Sequence, residues 1–235
     1  MGKRSDILEP SEWTSSKNHG LVYSEILGWI DLGHAQGDDI RKLREDIIQG
    51  ENSSGAYYII EYGQKMYALG KKIGTGKFIR WQIKKGLSID EIHSIALSMM
   101  FACAAKFENY QSQWFFSWHT DSGFSGEDLT SDLLGYYRVL YPGKYQERLK
   151  LVSKKDALKR WDHYGPIGNY KNKGFLPLLF PEPDEKSDIK KPVNGELPSF
   201  MKVVQPFKDF DSGKVSVISD DGTYFSFFSG GKYEP

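Results

Sequence analysis

SIDEIHSIALSMMFACAAKFE, residues 88–108, is the stretch whose reading decides the fold. Ser88 and Glu91 have the spacing of a capping box, in which the serine oxygen accepts the third backbone N–H and the acid reaches back to the cap. Ile89, Ile92, Ala96, Met99, Cys103 and Phe107 then recur at steps of three and four, and Leu97, Phe101 and Ala104 form a second stripe. From Ile95 to Ala105 the only polar side chain is Ser98. A helix apolar on most of its sides is buried on most of its sides. The stretch therefore predicts a central core helix over 88–108 that ends on Glu108.

Working outward, DDIRKLREDIIQ (38–49) predicts an amphipathic helix with acids in its first turn. Residues 56–84 read as a β-meander, with aromatic and β-branched runs at 57–60, 66–69 and 78–83 and glycines nearby; a helix over the first two runs is the alternative. A second helix is expected from Ser125 as N-cap to a stop before Pro142, and a charged helical segment over 144–163. VSVIS and TYFSFF flank Asp220-Asp221-Gly222 and predict a C-terminal β-hairpin. The expected class is α+β: a mainly helical core around the buried helix, a small meander and that hairpin. The expected organisation is a flexible arm (1–20), a main domain (21–164), a proline-rich connecting loop (165–198) and a short β appendage (199–235).

Composition narrows the function classes. The chain of 235 residues carries 31 Lys+Arg against 31 Asp+Glu, so a nucleic-acid partner, which calls for basic excess, is not expected. The one cysteine excludes an intrachain disulfide framework and a multi-cysteine zinc site. Cys103 itself falls on an apolar helix face and reads as core. No run has the length of a membrane span, and the first residues show no apolar signal core. The expectation is synthesis in the cytoplasm, followed by secretion or delivery to a target-cell periplasm.

Three segments gather the chemistry. Glu108 closes the apolar stripe Leu97, Phe101, Ala104. An acid partly withdrawn from water there has a raised pKa and suits general-acid work; the alternative is a helix that frays before Glu108 and leaves its side chain in water. WHTDSGFSGED (118–128) is a glycine-bearing loop entering a helix, with Asp128 and Asp132 as i, i+4 neighbours on a stripe that Ser125 and Gly135 extend. Acids there also complement a helix dipole. GWIDLGHA (28–35), read as extended chain, points Asp31 and Gly33 one way and Leu32 and His34 the other. His34 is then a base, a relay or a core histidine. Glu108, His34, Asp128 and Asp31 are the candidate catalytic residues. His119, Asp121, Glu127, Asp132 and Trp118 are the candidate substrate contacts. No cofactor is expected. The alternative is a divalent metal held by His34, His119 and carboxylates such as Asp121, Asp128 and Asp132, although no short ligand spacing such as HExxH occurs. Gly70–Lys77 lacks the spacing of a phosphate loop and reads as a turn.

GWIDLGHA, KFENYQSQW (106–114) and FSGEDLTSDLLGYY (124–137) together resemble a bacterial family of unknown function, many of whose members are longer, exported and lipoprotein-like. The resemblance covers roughly residues 25–140. It implies that Asp31, His34, Glu108, Glu127, Asp128 and Asp132 belong to one site. The chain departs from the family pattern at Phe107, where a histidine is expected, and at Asp132, where asparagine is usual. With the acidic helix end, the resemblance leads to the expectation of a peptidoglycan hydrolase, glycan-cleaving and muramidase-like. Such an enzyme would act as an antibacterial effector delivered by a contact-dependent (type VI-like) secretion machine. Its partners would be the peptidoglycan substrate, a secretion carrier and an immunity protein. A metal-dependent cell-wall amidase or peptidase and a non-catalytic envelope-binding protein are the alternatives.

Overall fold

The computed structural model describes residues 2–14, 19–68, 73–111, 127–170, 172, 174–183 and 191–227. In chain order its elements are β1 (Leu21–Ser24), β2 (Gly28–Asp31), α1 (Asp38–Glu51), β3 (Tyr57–Ala68), β4 (Ile73–Lys84) and α2 (Ile89–Gln111), then α3 (Asp128–Leu140), α4 (Tyr145–Arg148), α5 (Lys154–Tyr164), β5 (Leu178–Leu179), β6 (Val193–Asn194) and β7 (Val215–Phe227). The class is α+β. The chain forms two compact units, each built from two separate stretches: residues 1–38 with 118–203, and 39–117 with 204–235. Among the described residues no helix is long and apolar enough to cross a membrane.

The first unit centres on a four-stranded sheet in the order β1-β2-β5-β6. Ile7, Leu21, Tyr23, Trp29, Trp161 and Phe180 belong to its core. The rings meet edge to face, Tyr23 with Trp29 at 5.2 Å and Trp29 with Trp161 at 5.7 Å, the arrangement that aromatic quadrupoles favour. Arg160 is buried but satisfied: its Nε donates to the Phe180 carbonyl at 2.9 Å and its guanidinium lies over the Tyr23 ring. The stretch expected as a loose arm contributes Ile7, fully buried and bridged to Leu21, and the buried Trp13. The stretch expected as a connecting loop contributes β5 and β6, which complete the sheet. Gly28 allows this: a Cβ there would lie 2.1 Å from the Leu178 carbonyl oxygen. The charged segment 144–163 is two helices rather than one. Lys150, at φ 48°, breaks it, and the chain there bonds to β1 through Val152 N–H to the Tyr23 carbonyl at 3.0 Å.

The second unit is a three-stranded antiparallel sheet, β3-β4-β7, packed against α2. Tyr58, Ile60 and Tyr62 on β3 and Ile79, Trp81 and Ile83 on β4 alternate inward, as a sheet with one wet face requires. Two expectations are corrected here. The meander within 56–84 is one long hairpin, because β3 runs on through Gly63, where a Cβ would lie 2.9 Å from the Lys77 carbonyl oxygen. The C-terminal hairpin is a single strand: Val215–Phe227 pairs along β4 with register shifts beside Arg80, so Asp220-Asp221 forms a bulge. Pairing over the length of β4, reinforced by Lys77 Nζ to Asp221 at 2.7 Å and to Thr223 at 2.8 Å, outweighs the local turn preference.

The capping box at the head of α2 is formed. Glu91 N–H donates to Ser88 Oγ at 3.3 Å, and Ser88 N–H donates to Glu91 Oε2 at 2.9 Å. Ala96, Leu97, Met99, Met100, Cys103 and Ala104 are buried, whereas Ile89, expected on the core stripe, is exposed.

Ile79→Ala removes a fully buried side chain from the inner sheet face (0% exposed). It is expected to cost about 2–5 kcal/mol of unfolding free energy. Ile59→Ala, on the outer face (58% exposed), should stay within about 0.5 kcal/mol. Urea unfolding checks both. Lys214, then Ser88, holds the Glu91 carboxyl down to about 2 from 4.5. A lowered folded pKa stabilises above the ordinary value and is lost as pH falls through the folded one. The stability gap between wild type and Glu91→Gln should therefore be full above pH 4.5 and close toward pH 2. A gap that widens with acid would contradict the assignment.

Candidate functional site

The first unit brings His34, Asp31, Asp128 and Asp132 together. β2 ends at Asp31, whose carboxylate turns back to accept the N–H of Gly33 at 2.7 Å and of His34 at 3.3 Å. This Asx turn winds residues 34–36 into a short 3-10 turn. The extended reading of GWIDLGHA is thus corrected beyond Asp31. The local carboxylate bonds override strand alternation, and Asp31 shapes the backbone that carries His34.

Helix α3 supplies the opposing face. Its stripe Asp128, Ser131, Asp132, Gly135 and Arg138 follows helical spacing, and each member touches the turn or its approach. Ser131 Oγ accepts the Asp31 N–H at 3.0 Å. Gly135 and Gly37 meet backbone to backbone: a Cβ on Gly135 would lie 2.7 Å from the His34 carbonyl oxygen, and one on Gly37 2.7 Å from that of Gly135. Gly37 also adopts φ 67°, the left-handed region that favours glycine. Arg138 donates through Nη1 to the Ala35 carbonyl.

The imidazole sits between two carboxylates. Its Nδ1 is 2.8 Å from Asp132, whose side chain is only 7% exposed, and its Nε2 is 3.6 Å from Asp128, at 20%. The His34 side chain itself keeps 43% of its surface in solvent. Withdrawal from water pulls the imidazole pKa down. Asp132, by charge and hydrogen bond, then Asp128 and Asp31, outweigh that effect and hold it well above 6.5. The result is a partly solvent-facing ring whose charged form is favoured and whose Nδ1 is held by a nearly buried acid, a geometry suited to proton transfer.

Glu127, expected at the substrate, is buried at 1%. Asp132, expected as a substrate contact, bonds His34 Nδ1 and is nearly buried. Trp118, His119 and Asp121 lie outside the described residues, as does the side chain of Glu108 on α2. The N-cap of α3 is Glu127, and Ser125 lies outside the described residues. Among the described residues no group of three or more His, Cys, Asp or Glu side chains is arranged to hold a metal ion. Sequence reasoning missed Ser131, Gly37 and Arg138. Extending the Asp128–Asp132–Gly135 stripe by one further turn reaches Arg138.

Comparisons with family models, curated proteins and solved structures match none of them to this chain.

The raised His34 pKa fixes a sign. Its stabilising contribution is fully present below 6.5, the ordinary value, and is lost as pH rises through the folded one. The unfolding free-energy difference between wild type and His34→Gln should therefore be largest in mild acid and shrink as the solution turns alkaline. Denaturation series across pH measure this, and a difference that grows with pH would refute it.

Proposed function

We propose that the chain is a cell-wall hydrolase that cleaves the glycan of bacterial peptidoglycan, with His34 at its acid–base centre. One observation carries the reading: an accessible imidazole held between the nearly buried Asp132 and the second carboxylate of Asp128. Asp132 orients the ring and stabilises its charge, as the third member of a catalytic triad does for its histidine. The protonated ring donates to the leaving oxygen. Asp128, on the Nε2 side, positions water or faces the positive charge that develops on the sugar. Glu108 on α2 is the second candidate for the proton donor, on the ground of its place at the end of an apolar stripe.

The substrate class rests on the resemblance of residues 28–35, 106–114 and 124–137 to exported envelope proteins. The same resemblance supports action in the periplasm as a delivered antibacterial effector, with an immunity protein as partner in the producing cell.

Clearing of purified peptidoglycan tests the reading, with product analysis separating new reducing ends from new amino groups. Wild type should release reducing ends. His34→Gln and Asp128→Asn should slow release by about 10²–10⁴-fold, the usual weight of a positioned acid or base. Glu108→Gln tests the alternative donor: lost release in it with undiminished release by His34→Gln moves the role to Glu108, and an unchanged rate leaves the role with His34. Undiminished clearing by His34→Gln would overturn the assignment, and amino-group release would move the activity to the amidase class.

A further inference from the structure

We propose that Trp13 and Arg138 are positioning residues for His34: the indole seats the guanidinium, the guanidinium clamps the Ala35 carbonyl, and the clamp keeps the imidazole against Asp132. The catalytic weight of this inference rests on the hydrolase reading above. Its geometric part stands without it.

Trp13 follows a 3-10 turn at Pro10–Glu12 and is buried in the first unit. Its carbonyl accepts from Gln146 Nε2 on α4, which fixes the backbone behind the ring. The Arg138 guanidinium carbon lies 5.1 Å from the centre of the indole. A planar cation stacked on an aromatic face retains its in-plane N–H groups for other partners. One of these, Nη1, donates to the Ala35 carbonyl.

That carbonyl lies one residue beyond His34, in a turn also held by its own backbone, where the Gln36 N–H donates to the Gly33 carbonyl at 3.2 Å. Asp31 holds the Gly33 and His34 N–H groups, and the Gly37 N–H returns to the His34 carbonyl at 3.1 Å. Ala35 is fully buried, and Arg138 reaches its carbonyl from α3. Releasing the clamp removes the tie between α3 and the Ala35 carbonyl and loosens the ring against Asp132. The carboxylates facing the imidazole come from the end of β2 (Asp31) and from α3 (Asp128 and Asp132). Loosening changes its distance to each of them.

The test is the titration of the His34 imidazole by NMR, its signal assigned by loss in His34→Gln, in the full chain. Arg138→Lys keeps the positive charge but loses the planar fork. Trp13→Leu removes the aromatic face without changing charge, and Trp13→Phe restores a ring. Arg138→Lys and Trp13→Leu should both lower the His34 midpoint toward 6.5, and Trp13→Phe should return it toward the wild-type value. On peptidoglycan the first two should lose about tenfold or more in kcat with KM little changed, the mark of a misplaced group. A purely structural role would lower the melting temperature and leave the midpoint where it is. That outcome, in folded Arg138→Lys, overturns the proposal, and Arg138→Lys decides alone should Trp13→Leu not fold. A wild-type protein inert on peptidoglycan would defeat the hydrolase reading and leave the titration result to judge this one.

Discussion

Two backbones without side chains between them set the site. Gly135 on α3 and Gly37 after the 3-10 turn approach so closely that a methyl group on either would meet a carbonyl oxygen. A helix can come this near a turn only where both surfaces are bare. At that separation the side chains on either side of Gly135 along the helix are in reach of the turn. Asp128 and Asp132 meet the imidazole, Ser131 takes the Asp31 amide and Arg138 takes the Ala35 carbonyl. A wider gap would move the Asp132–His34 contact beyond hydrogen-bond length.

The second unit answers to a different constraint. Its sheet has one face to cover, and α2, buried at Ile95–Met100, Cys103 and Ala104 and capped by Ser88 and Glu91, packs on the strands. The Lys77 ammonium, almost withdrawn from water, is tolerable because Asp221 and Thr223 both bond it. Asp221 comes from the bulged part of β7, and Thr223 stands opposite Lys77 in regular register. The irregularity in that strand thus supplies the carboxylate for a buried charge.

Local periodicity was readable in the sequence, and long-range pairing was not. The apolar spacing from Ala96 to Cys103 announces a buried helix whatever surrounds it. The i, i+4, i+7 stripe Asp128–Asp132–Gly135 announces a face made of small and acidic groups, and that face is the one turned to His34. Asp220-Asp221-Gly222 carries the local signature of a tight turn, but the partner that overrides it, β4, lies far away in the chain. β5 and β6, at two residues each, are too short to leave any periodic trace. Asp31 misled for a related reason. Alternation along a strand gives the direction of its side chain, yet the carboxylate bends back to its own backbone and ends the strand. Ser131 and Arg138 matter through backbone atoms of the turn, which a sequence does not display.

The interleaving of the two units bears on how the polypeptide can be made and divided. β4 finds its third strand only in a segment translated after residues 118–203, and β1 and β2 wait for β5 across all of 39–117. Neither hydrophobic core is encoded by one uninterrupted stretch, so no single cut liberates an intact half, and a nascent chain holds both cores unfinished until late in synthesis.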